Sequence, residues 1–184
     1  MSVPMYVLMS EEDCNEAMHL DETIETLGPD EDDLANSRDF GHYASYVSSV
    51  DCYETLKERI EVANEVANYL NRNGTIAVIN KEGVICLRPD AGIKYAKGQL
   101  KQIRETIEDM TPEEYADVGE YLLRKAIRDQ GIFAYPINYT DDSMPVGEYL
   151  QTMDAFIRNL YFGRAEKNKK EYHFVVTQTM WLHS

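Results

Sequence analysis

The chain has 184 residues, of which 43% are hydrophobic and 28% charged, and its formal net charge is −15 at pH 7. This length allows a sizeable buried core without a disulfide or metal, and the aromatic content argues against disorder. The charge disfavours direct binding to nucleic acid or to an anionic membrane and favours basic partners. Three widely spaced cysteines and the lack of a long apolar run predict a cytoplasmic protein without a membrane span.

Negative charge is concentrated near the start of the chain. Eleven of the 33 acidic residues lie within positions 11–33, and no lysine or arginine occurs before Arg38. These residues are Glu11, Glu12, Asp13, Glu16, Asp21, Glu22, Glu25, Asp30, Glu31, Asp32 and Asp33. We call them the acidic segment. The remaining acids and bases of the chain are nearly balanced, so this asymmetry separates the protein from a generic globular domain.

The first predicted elements carry the acidic segment. An apolar run over 3–9 predicts a strand, and Ser10 is a suitable N-cap for a helix with acids in its first turn. Apolar residues at helical spacing extend this helix over 11–27 with an acidic outer face, and Gly28-Pro29 ends it. The charge then continues into a predicted loop that runs to about residue 42.

The rest of the front half alternates strands and helices. Residues 43–50 are predicted to form a second strand, and Asp51, with a glutamate three residues later, is a candidate capping box for a helix that ends at Asn73-Gly74. Two short apolar runs, 75–79 and 84–87, predict a β-hairpin with a four-residue loop. This order of elements is compatible with a small ferredoxin-like sandwich.

A longer helix opens at Asp90. Its large apolar residues alternate at spacings of three and four, as in a coiled-coil seam. The seam consists of Ile93, Ala96, Leu100, Ile103, Ile107 and Met110. One residue further on, Lys94, Lys97, Lys101 and Arg104 form a basic stripe. The seam is a candidate surface for association between copies of the chain.

The last third of the chain predicts two more helices and two strands. Thr111-Pro112 restarts a helix that runs to about Gln130, and this tight join predicts an αα-hairpin. A strand over 132–139 precedes a helix over 143–161. The final strand is predicted over 172–182, with Tyr172, Phe174, Val176, Met180 and Leu182 on one face.

Together these elements predict an α+β fold with a mixed or antiparallel sheet of about six strands and about five helices. The division that the pattern suggests is a front half, 1–89, containing the acidic segment and a possible ferredoxin-like unit, and a back half, 90–184. A single domain over 1–184 is the alternative, because no flexible linker is visible at the candidate boundary near Pro89.

No motif indicates catalysis, a cofactor or a metal. The chain lacks a phosphate-binding loop, a dinucleotide-binding glycine motif and a nucleophile elbow. Its cysteines and histidines form no closely spaced ligand pair of the kind that zinc sites nearly always contain. We therefore expect a non-enzymatic protein without a cofactor or a metal.

The acidic segment carries the leading functional hypothesis. Closely spaced carboxylates on a rigid helix can imitate nucleic-acid phosphates and occupy a partner's basic cleft. The expected partner is a basic protein, such as a nuclease or another nucleic-acid-handling enzyme. In its general composition the chain is similar to the small acidic inhibitors that phages deploy against restriction and CRISPR systems. Such a resemblance implies an inhibitor or nucleic-acid mimic.

Two other interpretations remain open at this point. The ferredoxin-like front half could hold a pocket for a nucleotide-like or cationic metabolite, as a binding protein or an enzyme. Alternatively, the seam from Ile93 to Met110 could make the protein a structural homo-oligomer. The basic stripe could also dock against the acidic helix, within one chain or between two copies, and so neutralise the acidic surface.

Overall fold

The computed structural model describes residues 2–20, 28–35, 44, 46–127, 131–138, 146–162 and 171–183, without the side chains of residues 31, 35 and 127. The described helices are α1 (Glu11–His19), α2 (Glu31–Ala35), α3 (Leu56–Leu70), α4 (Ala91–Asp109), α5 (Pro112–Ile127) and α6 (Met153–Phe162). The strands are β1 (Ser2–Ser10), β2 (Tyr46–Cys52), β3 (Ala77–Ile79), β4 (Ile85–Leu87), β5 (Phe133–Ile137), β6 (Gln151–Thr152) and β7 (Tyr172–His183). The predicted α+β class is confirmed.

The seven strands form one mixed sheet that is organised around β7. One edge of β7 pairs with β1 along its length, and the other edge pairs with β4 near its start and with β2 near its end. On the far side of β1, β5 runs parallel to β1 and β6 closes the sheet as an antiparallel edge. The chain thus completes its sheet only when its last strand enters the middle.

Strands from both halves of the chain alternate in this sheet. Because β7 lies between β1 and the pair β2 and β4, the front half does not close a sheet of its own. The predicted ferredoxin-like unit is therefore wrong. Each of the two core clusters also contains residues from both sides of Pro89. This arrangement favours the single-domain alternative over a boundary at that proline.

A β-bulge at Thr177 changes which residues of β7 face which side. The pairing with β1 shifts between Val7 and Leu8, which leaves Thr177 as the extra residue on β7. Before the bulge, Phe174 and Val176 join one core cluster. After it, Met180 and Leu182 join the other cluster, so the prediction of one shared face is wrong. A single inserted residue reverses side-chain parity beyond it.

The two faces of the sheet carry different helices. Helices α3, α4 and α6 cover one face and contribute residues such as Val66, Tyr95 and Phe156 to its core cluster. The other face contacts α1 through Cys14 and α2 through Leu34. The sheet therefore separates the described part of the acidic segment from the hairpin that carries the basic stripe.

Several helices differ from their prediction in extent or position. Helix α1 ends at His19, and the predicted continuation over 21–27 lies outside the described residues. Helix α2 occupies part of the predicted loop. Helix α3 begins after Thr55 rather than at Asp51, because Thr55 and Glu58 form a reciprocal capping box.

The helix predicted from residue 143 is shorter than expected. Residues 151–152 form β6, which pairs with β5, and α6 begins only at Met153. The Thr152 hydroxyl accepts a hydrogen bond from the Ala155 amide at 3.1 Å and caps this start. Tertiary pairing with β5 overrides the apolar spacing that suggested an earlier beginning.

The predicted αα-hairpin is confirmed, but its buried face is not the predicted seam. Helix α4 buries Ala91, Gly92, Tyr95 and Gly98, whereas Leu100 of the seam is half exposed. A carbon at the Cβ position of Gly92 would lie 2.5 Å from Cβ of Tyr161, so α4 packs through its small residues.

In the part of the chain that the structure describes, no helix is both long and apolar enough to cross a membrane.

Candidate interaction surface

Helix α1 presents two carboxylates to solvent from an anchored scaffold. The Ser10 hydroxyl caps the helix by accepting a hydrogen bond from the Asp13 amide at 3.0 Å. On the opposite side of the helix, Cys14 and Ala17 are buried. Glu12 and Glu16 are exposed and lie one helical turn apart on the outer side. The predicted acidic outer face therefore exists over the described length of α1.

Asp13 does not belong to this outer face. Its side chain is fully buried, with an exposed fraction of 0%, beside the buried Cys14. The helical period explains the difference, because Asp13 follows the inward-facing side of α1 rather than the side of Glu12 and Glu16. The prediction that every acid in the first turn faces a partner is corrected at this position.

Helix α2 adds a second group of carboxylates. Asp30 and Asp33 form a reciprocal cap, in which the Asp33 amide donates to Asp30 Oδ1 at 2.7 Å and the Asp30 amide donates to Asp33 Oδ2 at 3.2 Å. Leu34 anchors the helix with an exposed fraction of 1%. Asp30, Asp32 and Asp33 remain exposed. The cap orders this part of the acidic segment, which the sequence pattern had predicted to be loop.

The pKa of Tyr135 responds both to burial and to nearby carboxylates, including Asp33 and Asp30. Burial raises the pKa of Tyr135, and the negative charges of Asp33, Glu148 and Asp30 raise this pKa further. Glu148 is exposed and adds a carboxylate beyond the end of β5. Only the three-dimensional arrangement could reveal this contribution, because Glu148 is more than a hundred residues away in sequence.

Glu11 is partly engaged by the protein itself. Its Oε2 atom lies 3.2 Å from Nδ1 of His173, and Oε1 of Glu171 lies 2.6 Å from Nε2 of the same imidazole. The hydrogen bond to Glu171 and, to a smaller extent, that to Glu11 raise the pKa of His173. A protonated His173 would therefore neutralise part of the charge at this end of the surface.

The exposed carboxylates form no ion pair with a lysine or arginine among the described residues. Among the residues of known placement, none of Glu12, Glu16, Asp30, Asp32 and Asp33 forms an ion pair with a lysine or arginine. Two cations of the basic stripe pair within α4 and its cap, Lys94 with Asp90 and Lys101 with Glu105. Docking of the stripe onto α1 within one chain is not observed, because the sheet separates the two helices.

Four predicted members of the acidic segment have side chains outside the part that the structure describes. Asp21, Glu22 and Glu25 lie outside the described residues, and so does the side chain of Glu31. The candidate surface therefore consists of Glu12, Glu16, Asp30, Asp32 and Asp33, with Glu11 at its edge and Glu148 as an addition. We call this set the acidic surface.

A groove with mixed charge lies beside α1. Its volume is about 300 Å³, and residues of α1, α3, the β3–β4 loop and β7 line it. The charged groups in its lining are Glu11, Arg59 and Glu82, and Nε of Arg59 is buried without a hydrogen-bond partner among the described atoms. Burial raises the pKa of the Cys14 thiol, against a smaller opposing effect of Arg59. Cys14 is thus a weak nucleophile in this groove.

Two tyrosines of and beside β2 make contacts within the sheet. Tyr46 stacks on His183 with ring centroids 4.9 Å apart, and the Tyr53 hydroxyl donates to Oγ1 of Thr179 at 2.6 Å. These contacts are cross-strand packing and an internal hydrogen bond.

Within the described residues, no group of three or more histidine, cysteine, aspartate or glutamate side chains is arranged to hold a metal ion.

Comparison of the chain with known protein families, with curated proteins and with solved structures found no match. The fold and the acidic surface therefore define the protein only as an α+β chain that carries a one-sided, solvent-facing group of carboxylates. Its function has to be argued from that geometry.

Proposed function

We propose that this protein is a non-enzymatic interaction protein whose acidic surface occupies a basic site of a partner. The observation that carries the proposal is that Glu12, Glu16, Asp30, Asp32 and Asp33 face solvent without a lysine or arginine partner among the described residues. The helices beneath them are capped and anchored in one core cluster. Carboxylates on such a scaffold bind cations without a large loss of conformational entropy.

The partner we propose is a protein whose basic groove normally binds nucleic acid, as in a nuclease or another DNA- or RNA-handling enzyme. Exposed carboxylates attract the same lysine and arginine side chains that contact phosphates. Occupation of the groove would exclude the nucleic acid, so the protein would act as an inhibitor of the phage anti-restriction or anti-CRISPR type. The cytoplasm is the proposed compartment, since Cys14, Cys52 and Cys86 are present as thiols.

Affinity capture from the native host tests this proposal with two variants of equal charge. Glu12→Lys/Glu16→Lys alters the acidic surface, and Glu54→Lys/Glu61→Lys changes two exposed glutamates at the start of α3. We expect the wild type and the α3 variant to retain the same basic protein until salt or duplex DNA elutes it. The α1 variant should not retain it. Equal retention by all three proteins would reject the acidic surface as the binding site.

The groove beside α1 favours a second candidate function. Pockets that bind small ligands begin at roughly 300 Å³, and Arg59 offers a buried Nε atom without a hydrogen-bond partner in the described region. A small metabolite with an anionic group for Arg59 and a cationic group for Glu11 or Glu82 would match this lining. A nucleotide-like or cationic metabolite is thus the alternative ligand class.

Thermal unfolding in the presence of nucleotides, amino acids and polyamines tests the second candidate. A ligand of the groove should raise the melting temperature of the wild type and have no such effect on Arg59→Met. If no compound in the panel shifts the wild type, or if Arg59→Met responds equally, the groove is not the site.

A further inference from the structure

The hairpin of α4 and α5 contains a long stretch without buried residues. From residue 99 to residue 118, all of which the structure describes, no residue is buried. The contacts to the body of the protein lie before this stretch, where Tyr95 is buried, and at its beginning, where the Asn73 side-chain amide donates to Gln102 Oε1 at 2.8 Å. The rest of the stretch is therefore held through α4 and extends into solvent.

An apolar ridge of exposed side chains spans both helices of the hairpin. Six large side chains with exposed fractions of 40% to 66% form the ridge. They are Ile93, Leu100 and Ile107 on α4, and Tyr115, Val118 and Tyr121 on α5. Ile107 and Tyr115 line one apolar groove of about 350 Å³ at the turn, so the ridge continues from one helix to the other. Contiguous apolar surface of this kind marks an interaction site.

The charge of the hairpin is separated along its length. The base of the hairpin, residues 91–104 and 121–127, carries six lysines and arginines and no acid. The tip, residues 105–120, carries seven acids and no lysine or arginine. The exposed pairs Lys101–Glu105 and Arg124–Glu120 lie at the boundary between these regions. Such exposed pairs contribute little, so their members are available to other partners.

We propose that a second copy of this chain binds the ridge, with the two hairpins side by side and antiparallel. In this arrangement the acidic tip of each copy lies against the basic base of the other, around a shared apolar centre. The contact is isologous, because the same patch serves both copies about a two-fold axis. A parallel arrangement would instead bring tip against tip and base against base, which like charges disfavour.

The dimensions of the hairpin suit a stable dimer. Helix α4 has 19 residues and α5 has 16, so each rod is roughly 24 to 28 Å long. A shared face along both helices would engage about twenty residues per copy, which is typical of specific interfaces. The overall negative charge acts weakly against this contact, because ions screen exposed charges beyond about 8 Å at physiological ionic strength.

Light scattering of the full chain at about 100 µM, well above a micromolar Kd, measures the oligomeric state. The wild type should have twice the mass of the 21.2 kDa chain. Leu100→Glu/Ile107→Glu should be a folded monomer, as judged by circular dichroism. Leu56→Glu, a change of similar exposure outside the hairpin, should remain a dimer. A monomeric wild type, or a dimer that survives the double change on the ridge, overturns the proposal.

Charge reversal provides a second test that does not depend on the apolar ridge. Lys97→Glu/Lys101→Glu makes the base less basic, and Glu113→Lys/Asp117→Lys makes the tip less acidic. Each variant alone should dissociate at least tenfold more readily than the wild type. An equimolar mixture of the two should recover a heterodimer, because the glutamates introduced in one variant then face the lysines introduced in the other. If the mixture is no more associated than its components, the antiparallel contact is wrong.

Discussion

Asp154 is a buried carboxylate that links three parts of the helical layer. Its Oδ1 atom accepts a hydrogen bond from Nη2 of Arg72 at 2.9 Å and another from the Tyr95 hydroxyl. The Arg72 guanidinium also lies 4.0 Å from the centre of the Tyr69 ring. Burial and the hydrogen bond to Asp154 raise the pKa of Tyr95, which therefore stays protonated as a donor. The network ties the end of α3 to α4 and α6.

Removal of one member of this network should destabilise the fold strongly. Arg72→Met leaves the Asp154 carboxylate, whose side chain is 7% exposed, without its cation, and the free energy of unfolding should fall by roughly 3 to 5 kcal/mol. Arg124→Met, which breaks an exposed pair on α5, should cost less than about 1 kcal/mol. Urea unfolding of both variants measures the difference. Equal losses would mean that Asp154 does not depend on Arg72.

His173 should give the folded protein a small dependence on pH. Its pKa is raised in the folded state by Glu171 and Glu11, so protonated His173 stabilises the fold at pH values below its ordinary pKa of 6.5. This contribution is lost as the pH rises through the raised, folded-state pKa. Because the side chain is 40% exposed, the effect should stay below about 1 kcal/mol.

Unfolding free energies measured on both sides of neutral pH check this sign. His173→Gln should flatten the pH dependence relative to the wild type. A wild type that becomes more stable as the pH rises through this range, with the change abolished in His173→Gln, would contradict the assignment.

At the scale of the elements, local signals predicted where several helices start and six of the seven described strands, all but β6. The cap at Ser10 and the turn at Thr111-Pro112 are local features, and both mark helix starts in the structure. The β3–β4 hairpin also follows local rules, since Gly83 has a φ of 77° and Asn80 Oδ1 accepts two backbone hydrogen bonds in the loop. Where two residues that can cap a helix lie close together, as Asp51 and Thr55 do, the sequence pattern selected Asp51, whereas Thr55 caps the helix in the structure.

The buried face of α4 could not be predicted from the spacing of large apolar residues. That spacing selects Ile93, Leu100 and Ile107, which remain about half exposed. The body of the protein instead contacts Gly92 and Gly98, because only a residue without a side chain lets α4 approach Tyr161 and Asn73 so closely. Hydrophobic periodicity does not register a face whose packing depends on small residues.

This packing predicts opposite effects of one substitution in the two hairpin helices. Gly92→Ala would place a methyl group 2.5 Å from the Tyr161 side chain, which is 1% exposed, and should destabilise the protein by about 1 to 3 kcal/mol. Gly119→Ala would place its methyl group 2.7 Å from the Tyr115 ring and 3.4 Å from the Met110 sulfur. Because Tyr115 is 66% exposed and can move, helix propensity should stabilise the protein by up to about 1 kcal/mol. Thermal unfolding of both variants is the measurement. Similar shifts in the same direction would contradict the close packing of α4.

For the whole molecule, the order of the strands lay beyond what local patterns contain. Each strand of the front half except β3 pairs with a strand from the back half, and β7 contacts β1, β2 and β4 at once. Such pairings depend on contacts between residues that are far apart in sequence. The bulge at Thr177 has the same origin, because the partner strand determines where the extra residue is accommodated.

The sequence predicts that the candidate surface is acidic but not which residues belong to it. The sequence located the acidic segment, whereas the fold buries Asp13, engages Glu11 with His173 and adds Glu148. It also sets the sheet between α1 and the basic stripe, so that the described acids remain available. The central claim is accordingly that the exposed carboxylates of α1 and α2 attract the cations of a partner.

The association rate of the captured partner, measured against ionic strength, tests this claim most directly. The wild type and Glu54→Lys/Glu61→Lys should bind fast at low salt, with a rate that falls as ionic strength rises. Glu12→Lys/Glu16→Lys should bind at least tenfold more slowly at low salt and show a shallower salt dependence. Identical rates and identical salt dependence for all three proteins would contradict the account.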